Sequence, residues 1–181
     1  GILPDLEVRI RAKGDALGSY AYSHDDESSS LYLAVYENGN DHKHLTFVHE
    51  VGHFLDHKAL DPNLKPSQFA SSDSPLLKGW RTAVENSKAL KEITKVFKNP
   101  DEYRGKMSKE TAEYLLSYEE IWARSYAQYI AVKGGEGALT MQLGKMLNDN
   151  GPYGYRHWDN DDFAPIEAEI DKLFAAKGWL K

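Results

Sequence analysis

The residues best suited to chemistry in this chain are two histidines and a glutamate in the motif HEVGH at residues 49–53. Side chains four positions apart lie on one face of a helix, so His49 and His53 can bind one tetrahedral zinc ion. Glu50 follows the first histidine, where a carboxylate can take a proton from water whose pKa the metal lowers to about 7. The motif therefore predicts a zinc-dependent hydrolase in which Glu50 acts as base and then as acid.

A catalytic zinc ion needs a third protein ligand and one open position. The arrangement HExxHxxGxxH is excluded, because Asp56 stands where that pattern has glycine and Ala59 where it has histidine. His57 follows His53 by four residues, but relative to His49 the helix has turned about 80° by then, so His57 should point away from the metal. The third ligand should come from another part of the chain.

Two glutamates in a later helical segment are candidates for this third ligand. Ala123 and Ala127 give the segment a slim face, which Glu120 shares at spacings of three and seven residues. A slim face lets two helices approach closely enough for the carboxylate to reach a metal on the other helix. Glu119 lies on a neighbouring stripe and can also serve, and a further alternative is that Glu120 only pairs with Arg124 at i,i+4. Spacing alone leaves these alternatives open.

The two motifs together resemble those of a known enzyme family. The segment HEVGHFLD at residues 49–56 and the later segment EIWARSY at residues 120–126 are similar to the pattern of gluzincin metallopeptidases of the anthrax-lethal-factor type. In that family a glutamate in ExxAxx(F/Y) completes the metal site, which implies Glu120 rather than Glu119. Similar segments occur in zincin domains of phages, prophages and polymorphic toxins. The resemblance covers about residues 18–132 and is carried by these two motifs.

The resemblance implies a metalloendopeptidase with Zn²⁺ as cofactor and a peptide or protein as substrate. It also implies that a strand at residues 31–36 lies along the cleft and offers its backbone to an extended peptide. The family has an oxyanion-stabilising tyrosine seven residues before the ligand glutamate, but this chain has Glu113 there. The donors that can take its place are Tyr114, Tyr118, His157 and Tyr155. Asp56 is a candidate acceptor that orients a metal-binding histidine, or else a surface charge.

Local patterns predict the elements that position these side chains. Alternation of apolar and charged residues at 6–13 predicts a strand, and the β-forming run at 31–36 predicts another. The HEVGH motif is expected on a helix over residues 41–60 that Asp41 caps. Gly52 should let another segment pack close to this helix.

Glu120 is expected on one long helix over residues 109–132, which should end at Gly134 and Gly135 in a left-handed cap. Further helices are predicted over residues 76–89, 91–98, 138–147 and 162–176. We therefore predict an α+β, zincin-like fold. A small, mostly antiparallel N-terminal sheet should lie over the HEVGH helix, and a helical C-terminal half should supply Glu120. Without repeats or a long linker, residues 1–181 should form a single domain, and a start at Gly1 favours a piece of a longer chain.

Composition narrows the classes of function. The 181 residues include no cysteine, which excludes disulfides, iron–sulfur clusters and thiol nucleophiles. The net charge is −6 and no cluster of lysine and arginine stands out, so we expect no nucleic-acid partner. No apolar run approaches the roughly 20 residues of a membrane span. The alternatives to a general peptidase are a phage or mobile-element assembly protein with a non-catalytic zinc site, and a toxin or regulator that cuts one partner.

Overall fold

The structure is a computed structural model that describes residues 6–11, 18–22, 29–34, 42–101, 107–148 and 157–180. Within these ranges the chain forms three strands followed by eight α-helices. The strands are β1 (Glu7–Arg11), β2 (Gly18–Tyr22) and β3 (Ser29–Ala34). The helices are α1 (Lys43–Lys58), α2 (Ala70–Asp73), α3 (Lys78–Asn86), α4 (Lys88–Lys98), α5 (Lys109–Leu115), α6 (Tyr118–Gly134), α7 (Gly137–Leu147) and α8 (Asn160–Ala176).

β3 is the central strand of a small mixed sheet with the order β1, β3, β2. β1 runs parallel to β3, with Val8 opposite Leu31. β2 runs antiparallel to β3, with Tyr20 opposite Leu31 from the other side. The sheet packs on α1 through β2 and β3, so the strand that borders the helix most extensively is an edge strand.

The prediction of an α+β, zincin-like fold with a mostly antiparallel sheet is wrong. Most described residues are helical, and one of the two strand pairings is parallel. The alternating pattern at residues 6–13 correctly indicates a strand, but such a pattern is the same for either pairing direction. β2 is not among the predicted strands, and its insertion between β1 and β3 in the sequence lets these two run in the same direction.

The closest helix packing joins α1 to α6. A Cβ atom at Gly52 would lie 2.9 Å from the Cα atom of Ala123, so these two positions bring the helix backbones together. The indole Nε1 of Trp122 donates a hydrogen bond of 3.1 Å to the carbonyl oxygen of Gly52 in the same interface. The predicted close approach at Gly52 and the predicted slim face of the later helix are confirmed.

Helix α1 starts without a side-chain cap of its own, because His42 at its N-cap position makes no capping hydrogen bond. Gln142 of α7 compensates, since its Oε1 atom accepts a hydrogen bond of 2.9 Å from the backbone N–H of Leu45. The predicted cap, Asp41, lies outside the described residues. The helix with the HEVGH motif is therefore fixed at one end by α7 and along its length by α6.

The predicted helix over residues 109–132 is two helices, α5 and α6, separated at Leu116 and Ser117. Ser117 has an extended backbone at φ −66° and ψ 141°, which ends one helix and starts the next. The buried guanidinium of Arg124 holds the junction by donating to the carbonyl oxygens of Leu115 and Glu120. The predicted left-handed cap is confirmed, because Gly135 has φ 59°.

The other predicted helices are found within a few residues of their expected bounds. Among the described helices, none has the length and apolar composition that crossing a membrane requires.

Substitution of Gly52 by alanine should destabilise the protein despite alanine's higher helix propensity. The new methyl group meets backbone atoms of Ala123, which cannot move away as a flexible side chain would. We expect a net loss of about 1–2 kcal/mol in the free energy of unfolding, measured by denaturant titration. Gly144→Ala is the control, because this helical glycine has open space around it and should gain about 0.5–1 kcal/mol. Equal effects of the two substitutions would contradict the close approach.

Candidate metal centre

His49 and His53 on α1 meet Glu120 from the first turn of α6. The Nε2 atoms of the two histidines are 3.1 Å apart. The Oε2 atom of Glu120 lies 3.3 Å from Nε2 of His49 and 3.6 Å from Nε2 of His53. The three side chains thus lie close enough together to hold a metal ion, as their spacing on two helices predicts.

The distances within this group fit tetrahedral coordination. Bonds of about 2.0–2.1 Å at tetrahedral angles place ligand atoms about 3.3–3.4 Å from one another. The three measured separations, from 3.1 to 3.6 Å, lie on both sides of that value. Two imidazole nitrogens and one carboxylate oxygen also match the donors that such a site uses. One ion therefore fits between the three side chains without any large movement of them.

The ionisation of Glu120 suits a ligand. Glu120 is only 4% exposed, and burial acts to raise the pKa of its carboxyl group. His49, His53 and Arg124 together outweigh burial and hold the pKa of this carboxyl group well below its usual range. The Glu120 carboxylate in turn raises the pKa of His49, even though burial acts in the opposite direction. Glu120 is therefore a buried carboxylate that remains charged.

Glu50 lies beside the ligands and is covered by the edge strand β2. A Cβ atom at Gly18 would lie 2.9 Å from Cγ of Glu50, so the strand touches this side chain directly. The backbone N–H of Tyr20 donates a hydrogen bond to the Glu50 carboxylate. Burial raises the pKa of the Glu50 carboxyl group, although both histidines act to lower it. A carboxylate with a raised pKa next to a metal centre is suited to carrying a proton.

A cavity of about 280 Å³ opens beside the metal centre. Its polar lining comprises Thr46, His49, Glu50, Tyr114, Glu120, Arg124 and His157. Its other lining residues are Gly18, Leu45, Leu115, Ala127 and Met146. His157 is buried at this cavity, and the next residue, Trp158, exchanges two backbone hydrogen bonds with the side chain of Gln128 on α6. The predicted donor His157 thus lies at the site, whereas Tyr155 lies outside the described residues.

The helix break brings Tyr114 to the metal centre. Its hydroxyl donates a hydrogen bond of 2.7 Å to Oε2 of Glu120. In an unbroken helix these two residues would point about 120° apart, so the contact depends on the turn at Ser117. Burial and the Glu120 charge raise the pKa of Tyr114, which keeps its hydroxyl protonated. The other candidate, Tyr118, points elsewhere, because its hydroxyl donates to Glu85 on α3.

The alternative metal ligands are held away from the centre. Glu119 accepts a hydrogen bond from the hydroxyl of Ser72 on α2. His57 uses both ring nitrogens elsewhere, with Nδ1 2.8 Å from the Tyr20 hydroxyl and Nε2 2.6 Å from the Pro66 carbonyl oxygen. This agrees with the expectation that His57 points away from a metal bound by the other two histidines.

Asp56 contacts helix α2 rather than a histidine. Its two carboxylate oxygens accept hydrogen bonds of 2.6 Å from the backbone N–H and the hydroxyl of Ser71. Burial raises the pKa of Asp56 to about 7, against the effect of the Ser71 hydrogen bonds. The contact joins the C-terminal part of α1 to α2. Asp56 therefore positions α2 and does not have the predicted role of orienting a histidine.

The strand predicted to receive a peptide cannot do so where the structure describes it. Residues 31–34 belong to β3, whose two sides are already paired with β1 and β2. The strand next to the metal centre is β2, which was not predicted. Arg124, Gln128 and Gln142 have structural roles that the sequence patterns do not predict. The sequence feature that could have identified them is a polar residue on an otherwise apolar helix face. Such a residue is buried and therefore needs hydrogen-bond partners.

The two adjacent glutamates of α6 provide a matched test of the metal centre. Loss of a residue that only supports a metal ligand typically weakens metal binding by roughly 10- to 100-fold. Glu120→Gln should weaken Zn²⁺ binding by more than this, because it removes a ligand. Glu119→Gln should bind as the unmodified protein does, because Glu119 contacts Ser72 instead. Affinity is measured by competition with a chromophoric chelator, and metal content by elemental analysis. Equal affinities of the two variants would exclude Glu120 as a ligand.

Three comparisons with known proteins provide no family for this chain. Neither protein-family models, nor curated proteins, nor solved structures match it. The function must therefore be inferred from the geometry of the metal centre and from the residues around its cavity.

Proposed function

We propose that this protein is a zinc-dependent metalloendopeptidase. The observation that carries the proposal is that Glu50 and Tyr114 lie at the same cavity as the group His49, His53 and Glu120. A structural metal site needs only its ligands, whereas a hydrolytic site also needs a proton carrier and a hydrogen-bond donor on its open side. Glu50 and Tyr114 are suited to these two roles, in agreement with the resemblance of the two motifs to gluzincins.

Zinc is the metal that the ligands favour. Two imidazoles and one carboxylate form a common catalytic zinc set, and the distances between their donor atoms suit tetrahedral coordination. When bound, zinc supplies a Lewis acid that lowers the pKa of water and polarises a substrate carbonyl group. The remaining chemistry depends on side chains of this chain.

Glu50 moves the proton in the proposed reaction. Its carboxylate takes a proton from the attacking water and later delivers it to the nitrogen of the leaving amine. The peptide C–N bond breaks, and one water molecule is consumed for each pair of products, a carboxylic acid and an amine. The raised pKa of Glu50 supports this role, because a group that binds the proton more readily than an exposed carboxylate can hold it between the two steps.

Tyr114 is the proposed donor to the oxyanion. Its hydroxyl already contacts Glu120 next to the open side of the centre, and its side chain is 58% exposed, so it can turn toward a substrate. His157 is the second proposed donor, from a different wall of the cavity. A peptide side chain can rest on the apolar part of the lining, which includes Leu45, Leu115 and Met146.

Glu50→Gln is the central test. It removes the proton carrier but retains a side chain of the same shape, so zinc content should stay unchanged while peptide hydrolysis falls by about 10²–10⁴-fold. Hydrolysis is measured with the zinc-loaded protein on a mixed peptide library read by mass spectrometry. Unchanged hydrolysis in the variant would contradict the role of Glu50. A protein that binds zinc firmly but cleaves no peptide in the library would favour the alternative of a structural metal site.

Tyr114→Phe and Tyr118→Phe form a matched pair for the oxyanion donor. Each removes one hydroxyl group, but only the hydroxyl of Tyr114 lies at the metal centre. We expect kcat to fall by about 100-fold in Tyr114→Phe, with little change in KM, and to remain normal in Tyr118→Phe. Steady-state kinetics on a cleaved peptide provide both constants. A larger effect of Tyr118→Phe would assign the donor to the other tyrosine.

A further inference from the structure

The edge strand β2 supports Glu50 through a backbone contact at Tyr20. The Tyr20 N–H donates to the Glu50 carboxylate, and Gly18 of the same strand packs against the Glu50 side chain. Since this N–H donates to a side chain of α1, it forms part of the contact between β2 and the helix. The position of Glu50 therefore depends on how firmly β2 is held over α1.

The side chain of the same residue anchors β2 to α1. The Tyr20 hydroxyl lies 2.8 Å from Nδ1 of His57, and the ring of Tyr20 also makes an edge contact with Phe54. Both Glu50 and His57 belong to α1, two turns apart, so Tyr20 joins two points of one helix. One contact uses its backbone N–H and the other its side chain.

His57 is restricted to one tautomer. A carbonyl oxygen can only accept, so Nε2 of His57 must carry the hydrogen in its 2.6 Å contact with Pro66. In the neutral ring Nδ1 is then an acceptor, and the Tyr20 hydroxyl must donate to it. Stacking of the His57 ring on Phe69, at 4.9 Å between centroids and 26° between planes, restricts its rotation further.

We infer that His57 is a positioning residue that acts through Tyr20 to hold the carboxylate of Glu50 at the metal centre. The inference rests on the proposed function for its catalytic meaning, but its structural content is independent of any activity. The order of contacts runs from Pro66 to His57, from His57 to the Tyr20 hydroxyl, and from the Tyr20 N–H to Glu50.

Two substitutions of His57 separate its two contacts. His57→Asn keeps an acceptor at about the position of Nδ1, so the hydrogen bond from Tyr20 can persist. His57→Gln keeps a donor at about the position of Nε2, so the contact with Pro66 can persist while the one with Tyr20 is lost. Tyr20→Phe removes the same hydrogen bond from the other side. Tyr22→Phe is the control, because it removes a hydroxyl from the neighbouring tyrosine of β2 and keeps its ring against His57.

The first readout is amide hydrogen exchange at position 20, measured by NMR on the full zinc-loaded chain. In Tyr20→Phe and in His57→Gln this amide should exchange about tenfold faster or more, because its acceptor Glu50 is no longer held in place. His57→Asn and Tyr22→Phe should leave its exchange unchanged. Unchanged exchange in both Tyr20→Phe and His57→Gln would overturn the inference. Normal exchange of this amide in His57→Gln combined with fast exchange in His57→Asn would also overturn the inference. That result would assign His57 to anchoring the loop at Pro66.

The second readout is peptide hydrolysis with zinc content as its reference. We expect Tyr20→Phe and His57→Gln to lower kcat by about three- to tenfold at unchanged KM and unchanged zinc content. If His57 had only a structural role, its substitution would lower the apparent kcat by reducing the folded fraction, and zinc content would fall together with kcat. If the unmodified protein cleaves no peptide but the exchange result is as expected, the proposed function fails and the positioning of Glu50 stands. Normal kcat in both variants overturns the inference.

Discussion

The close approach of α1 and α6 is the constraint on which the metal centre depends. Gly52 faces Ala123 at a distance that leaves no room for a side chain. Gly52 is about one turn from His49 and adjacent to His53, and Ala123 is about one turn from Glu120. A carboxylate side chain is short, so Glu120 can reach both imidazoles only if the two backbones lie this near. Small residues at the crossing therefore set the distances of the donor atoms, although neither of them touches the metal centre.

Buried charge is the second constraint, because the same small volume contains two carboxylates and a guanidinium. Burial acts to raise the pKa of both Glu50 and Glu120, but the histidines and Arg124 oppose it more strongly at Glu120. The pKa values of the two carboxyl groups thus shift in opposite directions, although both residues line one cavity. One remains charged and suits a ligand, and the other binds a proton more readily. A difference of this kind between neighbouring carboxylates is how one site can supply both a ligand and a proton carrier.

Local spacing is sufficient to predict part of this centre and insufficient for the rest. His49, Glu50 and His53 lie on one helix, so their arrangement follows from helix geometry alone. The choice of Glu120 required the second motif, and the structure brings that residue to the two histidines. The choice between Tyr114 and Tyr118 depends on where a helix breaks, and the sequence pattern is continuous through the break. The sequence pattern also does not predict strand β2 or the pairing directions in the sheet. Both depend on contacts between distant parts of the chain, which the periodicity of a local segment does not indicate.

Glu120, the candidate ligand on α6, is held in place by contacts that do not involve a metal. Glu120 is hydrogen-bonded to Tyr114 and flanked by Arg124, which also fixes the junction between α5 and α6. The separations between its carboxylate and the two imidazoles already match those of a tetrahedral site, so binding an ion requires little reorganisation. Glu50 lines the same cavity as Glu120 and these two supporting residues. The arrangement of the three candidate ligands and the placement of Glu50 beside them are thus consequences of the same packing.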